Sequence, residues 1–162
     1  MKQVEPANLH MTVKFLGNIP ETMAPRIYKI LKEEINDKLF KENYQYRMEG
    51  AGHFRKFSVI WIKLVGDIPY LQKIKDNVET LLKRQLNIEE DERKEFKPHL
   101  TIGRLKSNRI DSKNFNAFKK LINENKDLDF GAFNINQIKL KKSILTPKGP
   151  IYYNYKENGF NE

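Results

Sequence analysis

The sequence contains no cysteine among its 162 residues. This absence excludes disulfide bonds, thiolate metal sites and a cysteine nucleophile. Long apolar runs are absent too, since no stretch approaches the roughly eighteen apolar residues that a membrane-spanning helix needs. The opening residues, Met1-Lys2-Gln3-Val4-Glu5-Pro6, lack the apolar segment of an export signal. We therefore expect a cytoplasmic protein with no membrane partner.

Histidine is scarce, with three in the chain, and two of the three stand in the same frame. His10 and His99 are each followed by an apolar residue, a threonine and a β-branched apolar residue. The threonines are Thr12 and Thr101. Each frame predicts a β-strand, in which side chains two residues apart share a face. Each strand would then present one imidazole and one hydroxyl on the side opposite its aliphatic residues.

Acidic residues are outnumbered, with 21 Asp and Glu against 30 Lys and Arg and a net charge of +9. The length of 162 residues fits one domain with room for a core. This charge on a small domain favours a polyanionic partner, most simply RNA or a phosphorylated metabolite. The alternative is a basic surface that serves only solubility, and composition alone does not separate the two.

The hydrophobic pattern predicts an α+β protein with an internal repeat. Strands are predicted at residues 9–16, at 44–49, at 57–65, from His99 onward, at 133–145 and at 151–156, with a turn at 147–150. Helices are predicted after Pro20, from Pro69 to about Leu86, and after a cap at Asp111 or Ser112. By this repeat, a helix and a strand would be expected before Asn8.

The strands at 44–49 and 57–65 predict a hairpin, because a Gly-Ala-Gly stretch separates them. Its loop would carry His53 and Phe54. His53 has no threonine two residues later, which predicts a rim or surface position. Phe54 precedes two basic residues, so it could stack on a nucleic-acid base or only hold the hairpin together. Trp61 is predicted on the strand face opposite Ile60, Ile62 and Leu64. It would belong either to a second layer of the core or to the wall of a groove.

Paired imidazoles suit general acid–base chemistry near neutral pH, because one can accept a proton while the other donates one. Phosphodiester cleavage fits this pattern best. Water would attack phosphorus as one of His10 and His99 removes its proton and the other protonates the departing alkoxide. Hydroxyls from Thr12 and Thr101 would hold the phosphate oxygens. The sequence has no metal-binding motif, so no metal is predicted.

Two cations stand near the histidines as candidate phosphate ligands, and for either of them the alternative is a solvated side chain with no ligand. Lys14 follows His10 by four residues and would share its strand face. Arg104 follows His99 by five residues, so a regular strand would place it on the opposite face. Gly103 would allow a β-bulge that rotates Arg104 back toward the histidine.

The two histidine motifs and their neighbouring residues resemble those of a known family. The paired His-x-Thr strands, with Leu9 before the first and Pro98 before the second, resemble the 2H phosphoesterase superfamily. Closer still is the resemblance to the RNA 2′,3′-cyclic phosphodiesterases, also called 2′-5′ RNA ligases. That closer resemblance rests on residues 8–17, 50–54, 59–61 and 143–152 and extends over nearly the whole chain.

The resemblance implies a bilobal, pseudo-twofold α+β fold, with two antiparallel sheets flanked by helices and a central cleft. It implies hydrolysis of RNA 2′,3′-cyclic phosphate ends to 2′-phosphates, without a cofactor. His10 would protonate the leaving 3′ oxygen, and His99 would be the base for water. Thr12, Thr101 and Arg104 would bind the phosphate. The same site would join tRNA halves through a 2′-5′ linkage without ATP.

Members of this family usually carry a further strand and helix before the first motif. We therefore expect residues 1–162 to form a single two-lobed domain that lacks these elements, and we expect an archaeal source. Two other functions remain open. One is a basic RNA-binding module with a vestigial site, and the other is a metabolite cyclic phosphodiesterase, such as one acting on ADP-ribose cyclic phosphate. The sequence predicts no oligomeric state.

Overall fold

The structure is a computed structural model that describes residues 2–42, 44–92, 95–105, 110–147, 149–157 and 159–161. It confirms the α+β class. The strands are β1 (Lys2–Gln3), β2 (Tyr44–Phe54), β3 (Val59–Val65), β4 (His99–Arg104), β5 (Asp129–Ile135), β6 (Lys141–Thr146), β7 (Gly149–Lys156) and β8 (Gly159–Asn161). The α-helices are α1 (Ala24–Ile30), α2 (Asp37–Leu39), α3 (Ile68–Leu86) and α4 (Ser112–Glu124).

The chain divides into two compact units. The first unit comprises Met1–Thr12, Gln45–Ile68 and Lys97–Phe133, and the second comprises Val13–Tyr44, Pro69–Phe96 and Asn134–Glu162. The first unit contains a five-stranded sheet in the order β1-β4-β3-β2-β5. The second contains a three-stranded antiparallel sheet in the order β6-β7-β8. Both histidine motifs therefore begin in the first unit.

The core of the first unit lies against one face of β3. Alternate residues of this strand are buried, namely Ile60, Ile62 and Leu64. Tyr46 of β2 is also fully buried, and its hydroxyl donates a 3.1 Å hydrogen bond to the carbonyl of Asp67. Gly66 has φ +145°, and a Cβ there would lie 2.5 Å from the Tyr46 ring. This turn after β3 therefore needs a glycine.

Helices supply most of the core of the second unit. The buried face of α3 consists of Leu71, Ile74, Val78 and Leu82. Helix α1 buries Ile27 and Ile30, and the Leu31–Asn36 segment that follows it is a π-helical turn. Tyr28 of α1 contacts Tyr155 of β7, with ring centroids 5.2 Å apart. Within the described residues, no helix is both long enough and apolar enough to span a membrane.

Several predicted elements are confirmed. Helix α3 begins one residue before Pro69, and β4 begins at His99. Asp111 caps α4, because its carboxylate accepts a hydrogen bond from the Asn114 backbone N–H. Strands β6 and β7 pair as the predicted hairpin, although Lys148 of its turn lies outside the described residues.

The predicted strand at residues 9–16 is wrong. Along the edge of β4, Lys2 and Gln3 occupy ladder positions and the Val4 N–H donates to the Ile102 carbonyl. Pro6 then lacks an N–H and begins a 3₁₀ turn that takes the chain off this edge. Residues 9–20 therefore form no ladder with any described strand. A strand over residues 9–16 would place Phe15 on the face opposite His10 and Thr12, with the apolar residues, but Phe15 is 78% exposed.

The predicted break at the Gly-Ala-Gly stretch is also wrong. Strand β2 continues through it with a bulge at Gly50, which has φ +77°. The Gly50 N–H donates to the Leu128 carbonyl, and a Cβ would collide with the Lys126 carbonyl oxygen. The glycine therefore permits a bulge and a close backbone approach. His53 and Phe54 accordingly lie at the end of β2 rather than in the hairpin loop.

The predicted strand at residues 133–145 is two strands, β5 and β6, that belong to different sheets. A segment at residues 136–140 separates them. Asn36 holds this segment through both groups of its side-chain amide, which bond to the backbone N–H and carbonyl of Ile138. A long-range contact of this kind has no local signal in the strand pattern.

Candidate active site

The register of β3 and β4 places the second histidine motif on the face of β3 that points away from the aliphatic core. His99 lies opposite Lys63, and Thr101 lies opposite Trp61. Lys63 and Trp61 alternate with the buried isoleucines of β3, so they project from the other face. The side chains of His99 and Thr101 therefore share that face, as predicted.

A β-bulge adds Arg104 to the same face. The register passes from Trp61 opposite Thr101 to Ile60 opposite Gly103, which leaves Ile102 as the extra residue. Arg104 then lies opposite Val59, which has the same parity on β3 as Trp61. The predicted bulge is confirmed, and it reverses the simple parity that placed Arg104 away from His99.

Two aromatic rings surround His99. The Phe54 ring meets the imidazole edge-on with centroids 5.0 Å apart, and the Trp61 ring lies 6.2 Å away. Phe54 and Trp61 also contact each other at 5.1 Å. Gly52 lies opposite Trp61, where a Cβ would be 2.3 Å from the indole. These contacts fix a wall of aromatic rings beside one histidine.

Both histidines are oriented by the same local hydrogen bond. His10 Nδ1 lies 2.7 Å from the Asn8 carbonyl oxygen, and His99 Nδ1 lies 2.7 Å from the Lys97 carbonyl oxygen. Because a carbonyl oxygen only accepts, Nδ1 carries hydrogen in both rings. Nε2 is therefore the nitrogen of each ring that can accept or donate a proton.

His10 and Thr12 are half-buried in an irregular segment of the first unit. Their shared orientation was predicted from a strand that does not form. The side chains that lie together on one sheet face are those of His99, Thr101, Arg104 and Phe54. His10 lies outside this sheet, shortly after the 3₁₀ turn at Pro6–Asn8, and its ring contacts the Asn8 carbonyl.

Lys14 has different surroundings from those predicted. Its side chain is 3% exposed and belongs to the second unit. The ammonium donates to the Glu89 carbonyl at 2.8 Å and to the Asp91 carboxylate at 3.2 Å, and it lies 4.0 Å from the Glu79 carboxylate. In this structure its charge is therefore balanced by acidic residues of its own unit.

Two cations on the same face were missed by the sequence reasoning. Lys63 lies directly opposite His99, and Lys2 lies directly opposite Arg104. The alternation of β3 could have indicated Lys63, because it shares parity with Trp61. The pairing of Lys2 with β4 has no local signal. His53 lies on the other face, where its ring stacks on Phe57 at 3.6 Å.

The arrangement can bind an anion and transfer protons. It combines an oriented imidazole, a hydroxyl, three cations and an aromatic wall on one face of the five-stranded sheet. Among the residues that the structure describes, no group of three His, Asp or Glu side chains is placed to hold a metal ion. The chemistry that these described side chains can supply is acid–base chemistry at a bound anion.

Several known proteins are similar to this chain. A family model described as the AKAP7 2′5′ RNA ligase-like domain matches residues 2–158. A protein of Methanocaldococcus jannaschii named RNA 2′,3′-cyclic phosphodiesterase is 37% identical over 157 residues, which cover 97% of this chain and 83% of the relative. An Aquifex aeolicus protein of the same name is 35% identical over 156 residues, covering 93% and 77%. Relatives thus occur in archaea and bacteria, and an archaeal source for this chain stays a prediction.

Solved structures share the fold. TT0787 of Thermus thermophilus has a TM-score of 0.71 at 24% identity and covers 96% of this chain and 79% of its own. Escherichia coli LigT complexed with ATP has a TM-score of 0.64 at 17% identity, with coverage of 96% and 77%. The match to the family model and the sequence relatives carry the assignment, so this chain belongs to the AKAP7 2′5′ RNA ligase-like family of 2H phosphoesterases.

Proposed function

We propose that this protein hydrolyses RNA 2′,3′-cyclic phosphodiester ends to 2′-phosphomonoesters. The observation that carries the proposal is the bulge in β4, which adds the guanidinium of Arg104 to the face that holds His99 and Thr101. The names of the sequence relatives support the same substrate class. The net charge of +9 suits an RNA substrate.

The reaction begins when water attacks phosphorus and His99 Nε2 takes the proton of that water. The bond from phosphorus to the 3′ oxygen breaks, and His10 Nε2 protonates the departing oxygen. Phosphorus keeps its bond to the 2′ oxygen, so the product is a 2′-phosphate. The Nδ1 bonds of the two histidines to carbonyl oxygens leave Nε2 of each ring as the nitrogen that exchanges the proton.

The phosphate is held by groups that act on its non-bridging oxygens. Thr12 and Thr101 donate hydroxyl hydrogen bonds, and Arg104 supplies a charged, forked donor. These contacts strengthen as charge accumulates on the oxygens in the transition state. Phe54 lies against His99 and is 37% exposed, so part of its ring is open to stack on the terminal base. Lys14 is assigned no role in this step, because acidic residues already surround it.

The same residues would also join RNA ends. If an RNA 5′-hydroxyl takes the place of water, His99 accepts its proton and the 3′ oxygen departs as before. The new bond joins the 2′-phosphate to the 5′ oxygen, which gives a 2′-5′ linkage without ATP. RNA fragments such as tRNA halves have the required ends.

The test is to incubate the purified chain with an oligoribonucleotide that ends in a 2′,3′-cyclic phosphate and to identify the product. A 2′-phosphate end is expected, and a 3′-phosphate would contradict the assigned leaving group. RNA binding without turnover would favour a binding module. Faster turnover of ADP-ribose cyclic phosphate than of RNA would favour a metabolite enzyme. Adding a labelled RNA with a 5′-hydroxyl tests ligation in the same assay.

A further inference from the structure

A cleft of about 540 Å³ lies wholly within the second unit. Its lining includes residues of α1, of the π-helical turn, of the segment at 136–140 and of β7, among them Tyr28, Lys32, Asn36, Lys139, Tyr155 and Lys156. A cleft of this volume lies within the ordinary range for small-ligand sites. None of the histidines or threonines of the two motifs lines it.

The wall of the cleft is built by a reciprocal pair of hydrogen bonds. Asn36 Nδ2 donates to the Ile138 carbonyl at 3.0 Å, and the Ile138 N–H donates to Asn36 Oδ1 at 2.9 Å. Asn36 ends the π-helical turn Leu31–Asn36. Turns of this type are rare and frequently occur at functional sites. These two bonds join the segment at 136–140 to the π-helical turn at one wall of the cleft.

Positive charge around the cleft exceeds negative charge. Lys32 is balanced by Glu157 at 2.7 Å, and Asp37 also lines the cleft. Lys139 and Lys156 line it as well, and neither forms an ion pair with any carboxylate of the described residues. Burial, and then the charge of Lys139, lower the pKa of nearby Lys141. An anion bound in this region would offset these unbalanced charges.

The cleft also offers groups that suit a nucleobase. Tyr28 and Tyr155 present two rings in contact at an angle of 52°. Aromatic rings can stack on any base.

We infer that this cleft is an RNA contact site that binds the backbone phosphate and base of a nucleotide, separately from the histidine residues of the first unit. The choice of RNA rests on the proposed function. The lysines without ion-pair partners among the described residues favour an anionic ligand, and the two half-buried tyrosine rings favour a nucleotide over an acidic peptide. The site would not be specific for one base, because its lysines contact the phosphate and its tyrosine rings stack on a face that every base has.

The test compares two double variants of the full chain. Lys139→Gln/Lys156→Gln removes two charges from the cleft, and Lys73→Gln/Lys113→Gln removes two from exposed positions on α3 and α4. The probe is a labelled RNA of about twelve nucleotides with an ordinary 3′-hydroxyl, titrated over a series of salt concentrations. The cleft variant should bind roughly tenfold more weakly, with a salt slope reduced by about 1.4. The control variant should change both quantities much less.

Equal RNA affinity in the two double variants would overturn the inference. Binding of a polyglutamate peptide as tightly as RNA, with the same dependence on Lys139 and Lys156, would overturn the choice of RNA. Turnover of a cyclic mononucleotide should be unchanged in both variants. Its loss in the cleft variant would overturn the claim that the cleft is separate from the site containing the histidines. Absence of turnover in the unmodified chain, with lysine-dependent RNA binding intact, would refute the proposed function and support the cleft.

Discussion

The Nδ1 atoms of His10 and His99 make the same contact, each lying 2.7 Å from the carbonyl oxygen of the residue two positions earlier. The two histidines have different backbone settings, since one begins β4 and the other lies in an irregular segment. The shared contact nevertheless leaves Nε2 as the reactive nitrogen in both rings.

Replacing either histidine with alanine should lower kcat for a 2′,3′-cyclic nucleotide by about 10²–10⁴-fold, because each change removes one proton transfer. The double variant should lose little more than the worse single variant, since the two residues act in one step. His53→Ala is the matched control, because His53 lies on the other sheet face. Steady-state kinetics measures all four proteins, and a comparable loss in His53→Ala would contradict the assignment.

Arg104→Ala should lower kcat/KM about 10- to 100-fold, because the substrate phosphate loses a charge-assisted hydrogen bond. Arg104→Lys should recover only part of this loss, because an ammonium lacks the planar fork of a guanidinium. The control is Arg84→Ala, at an exposed position near the end of α3. If the arginine instead remains in solvent, both alanine variants will have the kinetics of the unmodified chain.

Gly52→Ala should destabilise the protein by about 1–3 kcal/mol, because the new methyl group would lie 2.3 Å from the Trp61 indole. The clash involves the six-membered ring of the indole, which phenylalanine would not extend far enough to reproduce. Trp61→Phe should therefore relieve part of the effect, and the double variant should be more stable than additivity predicts. Urea denaturation measures the free energies, and strict additivity would indicate that the ring does not oppose the methyl group.

Glu79→Gln should destabilise the protein by up to about 3–5 kcal/mol, because it leaves the buried Lys14 and Lys75 with Asp91 as their one remaining carboxylate partner among the described residues. Lys75 and Glu79 are 3% and 4% exposed and form an ion pair one helical turn apart on α3. The matched control is Glu124→Gln on α4, where Lys120 and Glu124 have the same spacing but are mostly exposed. That change should cost less than about 1 kcal/mol. Equal midpoints for the two variants in urea would contradict the prediction.

The stability of α4 should depend on pH through Asp111. The backbone N–H of Asn114, and then its side chain, hold the pKa of this carboxyl below its ordinary value. A depressed pKa means that the contribution is complete above the unfolded value, near 3.9, and is lost as pH falls through the lower folded value. Asp111→Asn keeps a capping oxygen but does not titrate. Its thermal midpoint should fall less between pH 5 and pH 2, and an unchanged pH dependence would refute this account.

The local sequence predicted much of the structure of the second histidine motif. Alternation placed His99 and Thr101 on one face, and Gly103 indicated a bulge that the register confirms. Both inferences concern short-range geometry, in which strand parity and the freedom of glycine dominate. The first motif has the same local pattern, yet residues 9–20 form no ladder with any described strand, and Lys2 and Gln3 pair with β4 instead. The local pattern alone therefore does not decide whether a segment joins a sheet.

Lys14 illustrates a second limit of sequence reasoning. Its position after His10 predicted a phosphate ligand, but Glu79 and Asp91 are about 65 and 77 residues away in the chain and surround it after folding. The bulge at Gly50 shows the same limit, because the residues next to Gly50 in the sequence do not indicate that its backbone packs against the Lys126 carbonyl. Long-range packing decides such positions, whereas local patterns describe only what a segment would prefer.

The extra residue in β4 has a consequence for reading related sequences. In an uninterrupted strand, a cation that shares the side of His99 would occur four or six residues after it, at positions 103 or 105. Here it occurs five residues after, and only because Ile102 is passed over in the ladder. An odd number of positions from the histidine to an arginine on the same face therefore indicates a β-bulge between them. Deletion of Ile102 would shorten the interval to four residues, and an uninterrupted strand would then keep the guanidinium on the side of His99 without a bulge.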